Sequence, residues 1–404
     1  MKNAYVYDGI RTPFGRYGGE LQGIRPDDLM AMTIAELLKK YPQIRDKVED
    51  VVIGDSNQAG EDARNIARNS ALLSGLHLES GGITVNRLCG SGLAAAHLAS
   101  NAIACNEGSL YVAGGVESMT RAPLVIAKQP TAFSRSLSYA DSTIGWRFPN
   151  NQLLEKFGNE GMPNTSDNIG SDLQISREDS DVFAFESQMK YEKARKDGFY
   201  ENELFSVTIP PKSRKEKPYE MNADEHPRPT STLEKLATLR PLNAAGVTTA
   251  GNASGVNDGA AALLIGDEKV QKLLGVSPTA RILGTAVAGV APRVMGLGPV
   301  KASQKILART GLSLKDMDLI EVNEAFATQV LGCLKSLKLP FNDSRVNPNG
   351  GAIAIGHPLG ASGARLLLTA SRELKRRNGK YALVSLCIGI GQGIAMIIEN
   401  TDKK

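Results

Sequence analysis

Three segments in the second half of the chain repeat, in the same order, three segments of the first half. Asp318-Leu-Ile-Glu-Val-Asn323 parallels Val51-Val-Ile-Gly-Asp-Ser-Asn57. The turn and helix of Gly350-Gly-Ala-Ile-Ala-Ile-Gly-His357-Pro-Leu-Gly-Ala-Ser-Gly-Ala-Arg-Leu-Leu parallel those of Thr84-Val-Asn-Arg-Leu-Cys89-Gly-Ser-Gly-Leu-Ala-Ala-Ala-His-Leu-Ala99. Tyr381-Ala-Leu-Val-Ser-Leu-Cys387-Ile-Gly-Ile-Gly parallels Leu110-Tyr-Val-Ala-Gly-Gly. The match lies in pattern rather than identity. An ordered match of this kind predicts two copies of one α/β unit around a pseudo-two-fold axis. Both turn helices are rich in Ala and Gly, so their backbones can approach closely in the middle, which brings Cys89 near the loops of the second half.

Along the chain, residues 4–7 read as a strand. Residues 26–40 form an amphipathic helix with Asp27 or Asp28 as its cap. Val51–Gly54 is a short buried strand, Ala63–Leu73 a helix, Ile83–Val85 the strand before Cys89, and Leu110–Val116 a further strand. The alternation predicts a mostly parallel sheet with covering helices. From 119 to 249 the composition turns to Pro, Ser, Asn and charge, as in Pro210-Pro-Lys-Ser-Arg-Lys-Glu-Lys-Pro218 and Asp224-Glu-His-Pro-Arg-Pro229. One helix stands out there, Arg177 to Lys196, started by Ser176. This section reads as a long excursion over the core, of the length usual for lids and binding loops. After it come a small-residue helix and the strand Ala262–Ile265. The expected division is 1–118 plus 250–272 for the first half, 119–249 for the excursion, and 273–404 for the second half.

A net charge of +4 over 404 residues gives no whole-surface case for nucleic acid. Four cysteines and four histidines, none at metal-ligand spacing, argue against a disulfide scaffold and a metal centre. The N-terminus shows no signal pattern, and no apolar run reaches the ~20 residues that span a bilayer. The expectation is a reduced, cytoplasmic protein with no membrane partner.

Cys89 follows a short β-type run and precedes Gly-Ser-Gly and a helix, so its sulfur belongs at a helix N-terminus. There, free amides and the helix dipole lower a thiol's pKa and make a nucleophile. A small buried hydrophobe is the equal alternative on this stretch alone. The second half supplies Asn323 and Glu324 after a strand, His357 in a Gly/Pro turn, and Cys387 at a strand end. Ligand sites of parallel α/β sheets lie beyond such ends. Each also has a structural reading, as turn cap, hydrogen-bonder or core thiol. Gly389-x-Gly391-x-Gly393 lacks the dinucleotide-binding spacing.

Together these stretches resemble one family, the thiolases. The likeness rests on Asn-Arg-Leu-Cys89-Gly-Ser-Gly, Asn323-Glu-Ala-Phe, Gly-His357-Pro-Leu-Gly-Ala-Ser-Gly and Cys387-Ile-Gly-Ile-Gly-Gln-Gly. Arg11-Thr-Pro-Phe-Gly, Gly-Gly-Val-Glu-Ser-Met and Ala-Gly-Asn-Ala-Ser-Gly add to it, so it spans essentially the whole chain. The resemblance implies two pseudo-symmetric βαβαβαββ halves in a five-layer α-β-α-β-α sandwich, with the inserted loop domain covering coenzyme A. It implies that Cys89 carries the acyl group, His357 takes the Cys89 proton, and Cys387 is the acid/base. The amides of Cys89 and Gly389 would form one oxyanion hole, and His357 with a water held by Asn323 the other. Arg228, Ser254, Met162 and Phe326 match positions lining the substrate and coenzyme A site. No permanent cofactor is implied, since coenzyme A is a substrate, and dimers or tetramers are usual in the family.

Thr143-Ile-Gly-Trp-Arg-Phe and Gly161-Met-Pro-Asn-Thr-Ser-Asp-Asn most resemble the 3-oxoadipyl-CoA thiolases. Gly161 stands where biosynthetic acetoacetyl-CoA thiolases carry histidine. A dicarboxylic substrate calls for a cation, with Arg147, Lys128 and Arg135 as candidates. The alternatives are an acetoacetyl-CoA or broad-chain thiolase and, more remotely, a 3-oxoacyl synthase or a non-catalytic acyl-CoA carrier.

Overall fold

Neighbouring residues in the strands face different layers of helix. Ala113 and Val384 join a central cluster, whereas Val112 and Leu383, one position back, belong to two outer clusters. This period of two is what a sheet covered on both faces requires. The computed structural model describes residues 2–211, 213 and 215–403, so Lys212 and Arg214 of the charged stretch lie outside the described residues.

The strands of the main sheet are β1 (Ala4–Arg11), β2 (Asp50–Gly54), β3 (Ile83–Val85), β4 (Leu110–Ser118), β5 (Asn257–Gly266), β6 (Ala280–Gly289), β7 (Leu319–Val322), β8 (Tyr381–Ile388) and β9 (Gln392–Glu399). They run in the order β7-β8-β9-β6-β1-β5-β4-β2-β3, with the short Gly15–Arg16 strand beside β5. The two halves meet where β1 and β6 pair through only three residues, Ala4–Val6 against Ala280–Ile282. Two small-residue helices, α3 (Ser91–Ala104) and α8 (Leu359–Arg376), lie between the half-sheets. A Cβ on Gly363 would collide with the Leu93 amide, so the backbones touch as the Gly/Ala content implies. Outside the first half-sheet pack α1 (Pro26–Lys40) and α2 (Ile66–Ser74). Outside the second pack α6 (Gly298–Thr310) and α7 (Ala327–Ser336). These are the five layers.

Several details differ from the expectation. The sheet is mixed rather than mostly parallel: β2 runs parallel to β3 and β4, and β7 to β8, but β1, β5, β6 and β9 pair antiparallel. The Ala-rich stretch before Ala262 is part of β5, not a helix. Ala260, Ala261 and Ala262 are all fully buried, and a central strand covered on both faces needs no polar alternation. Helix α1 starts from Arg25 with Pro26 in its first turn, and Asp27 binds the Arg25 guanidinium at 2.9 and 2.7 Å instead of capping. The second half has no full counterpart of β3; a single parallel bridge, Ile320 to Val346, stands in its place.

The chain leaves the sheet after Ser118 and returns at Asn257, neighbours across β4 and β5. In the second half the same strand pair, β8 and β9, is joined by Gly389-Ile390-Gly391 alone. The excursion holds α4 (Met162–Leu173) and α5 (Arg177–Lys196), the latter capped by Ser176, whose side chain accepts from Asp179 N–H. Both helices pack on the second half: on α4 Ile169 lies against Gly332, and on α5 Ser180 meets Thr328 at 2.9 Å and Ser187 donates to Glu324 at 2.6 Å. The first half holds the excursion through Arg11. Its fully buried guanidinium bonds Asp224 at 2.7 and 2.9 Å and Glu203 at 3.2 Å. Among the described residues no helix is long and apolar enough to cross a membrane.

Candidate active site

The turn before α3 places Cys89 at a helix N-terminus. Leu88 takes a φ of 48°, which non-glycine residues seldom adopt. Ser91 holds that turn, donating its hydroxyl to the Leu88 carbonyl at 2.6 Å and accepting the Arg87 N–H at 2.8 Å. The amides of Gly389 and of Cys89 itself are directed at the thiol. The Gly389 amide comes from the β8–β9 hairpin, in which Ile390 and Gly391 take φ values of 65° and 84°. A Cβ on Gly391 would collide with the Val290 carbonyl, so that turn requires glycine.

The sequence argument for a lowered Cys89 pKa does not hold in the resting site. Burial outweighs the amides and pushes the thiol up to about 11. Cys387, at the end of β8, is pushed well above the ordinary range by burial, and a charge on Cys89 would push it further. The two sulfurs are therefore electrostatic neighbours. Cys387 sits among Ala253, Met295, Ala325 and Phe326, with Met162 from the start of α4 packed against them. Phe326 and Met162 thus share one cluster although 164 positions separate them in the sequence.

His357 precedes α8 by two residues, as Cys89 precedes α3. The two helix starts touch, since a Cβ on Gly92 would lie 2.6 Å from the Gly360 carbonyl oxygen. His357 Nδ1 lies 2.6 Å from the Ser362 hydroxyl, which donates its own hydrogen to the Pro358 carbonyl at 2.8 Å. Ser362 therefore accepts from Nδ1–H, which leaves Nε2 as the proton acceptor. Nε2 faces Asn323 Nδ2 at 3.3 Å. Burial and then the Arg365 charge pull the His357 pKa down to about 3, so the ring is neutral at rest. Asn323 is fully buried, and its Oδ1 has no partner within the protein. Glu324, next in sequence, accepts from Ser187, Asn347 and the Ile353 N–H at 2.6–3.1 Å. It anchors the loop that leads to His357 rather than facing Cys387.

A cleft of about 460 Å³ opens between α5 and the loops 226–239 and 250–253, lined by Arg228, Lys235, Leu236, Ala253 and Gln188 among others. The Arg11–Asp224 pair fixes the loop that carries Arg228. Ala253 lines this cleft and also belongs to the Cys387 cluster, so the two share one residue. Ser254, next along, donates its N–H to the Ala325 carbonyl at 3.0 Å. Of the cleft cations, Arg228 was expected and Lys235 was not; nothing in the Thr-Leu-Glu-Lys pattern marked it. Ser362 and Asn257, whose Oδ1 accepts His357 N–H at 2.8 Å, were also missed. The spacing of Ser362, one turn into the helix after His357, was the available signal. Arg147 donates to the carbonyls of Asn57 (3.1 Å) and Ser142 (3.2 Å), which occupies both ends of its guanidinium. Lys128 and Arg135 are exposed on the excursion.

The arrangement offers a nucleophilic thiol between two amides, a neutral imidazole acceptor, a second buried thiol and a long cleft with two cations at its side. The family model described as thiolase, N-terminal domain matches residues 4–269, and that of the thiolase C-terminal domain matches residues 276–400. A β-ketoadipyl-CoA thiolase of Escherichia coli is 55% identical over 401 residues, covering 99% of this chain and all of that protein. A mitochondrial 3-ketoacyl-CoA thiolase of Bos taurus is 42% identical, covering 99% of each chain. The crystal structure of human mitochondrial 3-ketoacyl-CoA thiolase in complex with CoA superposes with a TM-score of 0.90 at 40% identity, over 99% of this chain and 98% of that one.

Proposed function

The chain belongs to the thiolase family and is an acyltransferase, and on that premise we propose that it cleaves 3-oxoadipyl-CoA to succinyl-CoA and acetyl-CoA. The observation that carries the chemistry is the meeting of Cys89, Gly389 and Cys387, with Nδ1 of His357 held by Ser362 so that Nε2 is the acceptor. The substrate assignment is supported by the 55% identical β-ketoadipyl-CoA thiolase and by the excursion motifs.

In this reading the Cys89 proton passes to His357 Nε2 as the sulfur bonds the C3 carbonyl carbon. The amides of Cys89 and Gly389 receive the oxyanion; such donors are typically worth about 3 kcal/mol each. The C2–C3 bond then breaks. Its electron pair stays on C2 of the departing acetyl-CoA, where His357 and a water on Asn323 steady the enolate oxygen. Cys387 protonates that carbon and is left as thiolate. Incoming coenzyme A gives its thiol proton to Cys387, attacks the succinyl thioester on Cys89, and expels the Cys89 sulfur, which recovers the proton from His357. The raised thiol and lowered imidazole pKa values keep the resting pair neutral, so proton transfer accompanies attack rather than preceding it. In the same reading Arg228 meets the adenine end of coenzyme A, Lys235 its phosphates, Ser254 its pantetheine, and Met162 and Phe326 the acyl end.

The division 1–118 plus 250–272, 119–249 and 273–404 goes with this assignment, the excursion forming the coenzyme A cover. Four free cysteines suit a reducing cytoplasm, and exposed Leu124, Ile126, Phe133 and Tyr139 on the excursion suit a dimer or tetramer. The deciding experiment is initial-rate thiolysis of 3-oxoadipyl-CoA, acetoacetyl-CoA and a medium-chain 3-oxoacyl-CoA side by side. The highest kcat/KM is expected for 3-oxoadipyl-CoA. A higher value for either of the others moves the assignment to that chain class.

A further inference from the structure

The pseudo-two-fold axis gives the catalytic groups partners that the reaction has not used. The parallel ladder of the first half ends with Gly54 beside Gly115, and that of the second with Val322 beside Ser385. Superposing those ends equates Asp55 with Asn323 and Glu117 with Cys387. The antiparallel neighbours agree: Glu117 stands opposite Gly259, and Cys387 opposite Gly393. Cys89 and His357 exchange places, each two residues before its helix. The mate of the Asn323–Cys387 pair is thus a carboxyl pair, Asp55 and Glu117, on the other side of the same two helix starts.

These carboxyls are almost wholly buried. Glu117 Oε2 accepts the Gly360 N–H at 2.8 Å, three residues after His357, and the Ser56 N–H at 3.1 Å. The Asp55 carboxylate has only the Asn57 and Gln58 amides directed at it, neither in a close hydrogen bond. A buried carboxylate so weakly held is costly, and two adjacent ones cannot both ionise freely. The titratable groups that face Glu117 are Asp55 at the end of β2, Asp62 in the loop beyond it, and Cys89 before α3. His357 lies on the turn that Glu117 braces.

We propose that Glu117 is a positioning residue that braces the His357 turn through the Gly360 amide and, through its charge, opposes ionisation of Cys89. Burial sets the Glu117 pKa up to about 7, below that of Cys89, so the charge is in place before the thiol titrates. Removing the Glu117 acid should ease thiolate formation at Cys89. Glu117→Asp keeps the charge while drawing it back from the Gly360 amide, so it should lower kcat without easing thiolate formation.

The inference rests on Cys89 as the acyl-carrying thiol, a reading tested separately by locating the acetyl group in wild-type enzyme treated with acetyl-CoA. The test compares Glu117→Gln, Glu117→Asp and wild type by the pH dependence of iodoacetamide labelling at Cys89, read by peptide mass. E117Q should move the profile to lower pH by about half a unit or more, and E117D should leave it near wild type. Glu117→Ala, which drops the Gly360 contact, should lower kcat further than E117Q while leaving KM for acyl-CoA near wild type. An E117Q profile superimposable on wild type or moved to higher pH, or an E117D profile that follows E117Q, overturns the proposal. If E117Q fails to fold, Glu117→Ala is read for the same shift to lower pH.

Discussion

His357 Nδ1 lies 2.6 Å from the hydroxyl of Ser362, five residues further along, and that contact decides which ring nitrogen can take a proton. Replacing Ser362 with Ala leaves a buried N–H without a partner, at a cost of about 1–3 kcal/mol, and frees the ring to turn. S362A should lower kcat by about ten-fold or more, since each 1.4 kcal/mol corresponds to a factor of ten. KM for the acyl-CoA should stay near wild type. Steady-state thiolysis checks this, and an unchanged kcat would count against the tautomer assignment.

The two active-site sulfurs should separate by half-reaction. Cys89→Ala should gain no acetyl mass on incubation with acetyl-CoA. Cys387→Ala should still gain it, yet lose about 10²- to 10⁴-fold in thiolysis, the range for removal of a general acid/base. In wild type, iodoacetamide should reach Cys89 and the exposed Cys105 while sparing buried Cys333 and Cys387, and acyl-CoA should protect only Cys89. Intact mass and peptide mapping read all of these.

Arg11 pairs with Asp224 and Glu203 out of contact with solvent. Losing one partner of a buried pair costs about 3–5 kcal/mol. Arg11→Met should therefore lower the denaturation midpoint substantially. Because Asp224 leads into the loop of Arg228, the KM for coenzyme A should rise as well. A loss of stability with unchanged KM would separate the two effects.

Stability should depend on pH through four groups of two kinds. His357 and His226 titrate at about 3 and about 4 in the fold against 6.5 ordinarily, so the stability tied to their neutral forms is complete above 6.5 and is lost as pH falls. Glu117 and Glu321 are raised to about 7 and about 8 from 4.5, so their contribution is complete below 4.5 and is lost as pH rises through those values. Between 4.5 and 6.5 the two kinds oppose each other. Above 6.5 only the glutamates of this set act, so the melting temperature should fall from pH 6.5 to 8. Glu321→Gln should flatten most of that fall, and a calorimetric pH series shows whether it does.

The sequence carried the repeat, the two Gly/Ala-rich helices and the turns that hold Cys89 and His357, because close backbone contact and a fixed turn leave compositional marks. The excursion's position was legible from its change in composition, and α5 from Ser176 and its acidic first turn. Strand direction was not legible. The all-Ala start of β5 reads equally as helix, and antiparallel partners far apart in sequence leave no local sign. The Cys89 pKa was misjudged because the helix start is a local feature, whereas the burial that outweighs it arises only once the chain is folded. Ser362 and Lys235 went unnoticed since their roles exist only once the fold supplies their neighbours.

Ser118 and Asn257 leave and enter the sheet side by side, where the other half needs only Gly389, Ile390 and Gly391 to make the same crossing. Closing a longer loop across fixed ends adds only a slowly growing entropic penalty. The covering segment can accordingly change length at little cost to the sheet, provided that Ser187–Glu324 and Arg11–Asp224, which moor it to the two halves, are kept. What the two halves share is thus the frame, and what sets them apart is one insertion held at both ends.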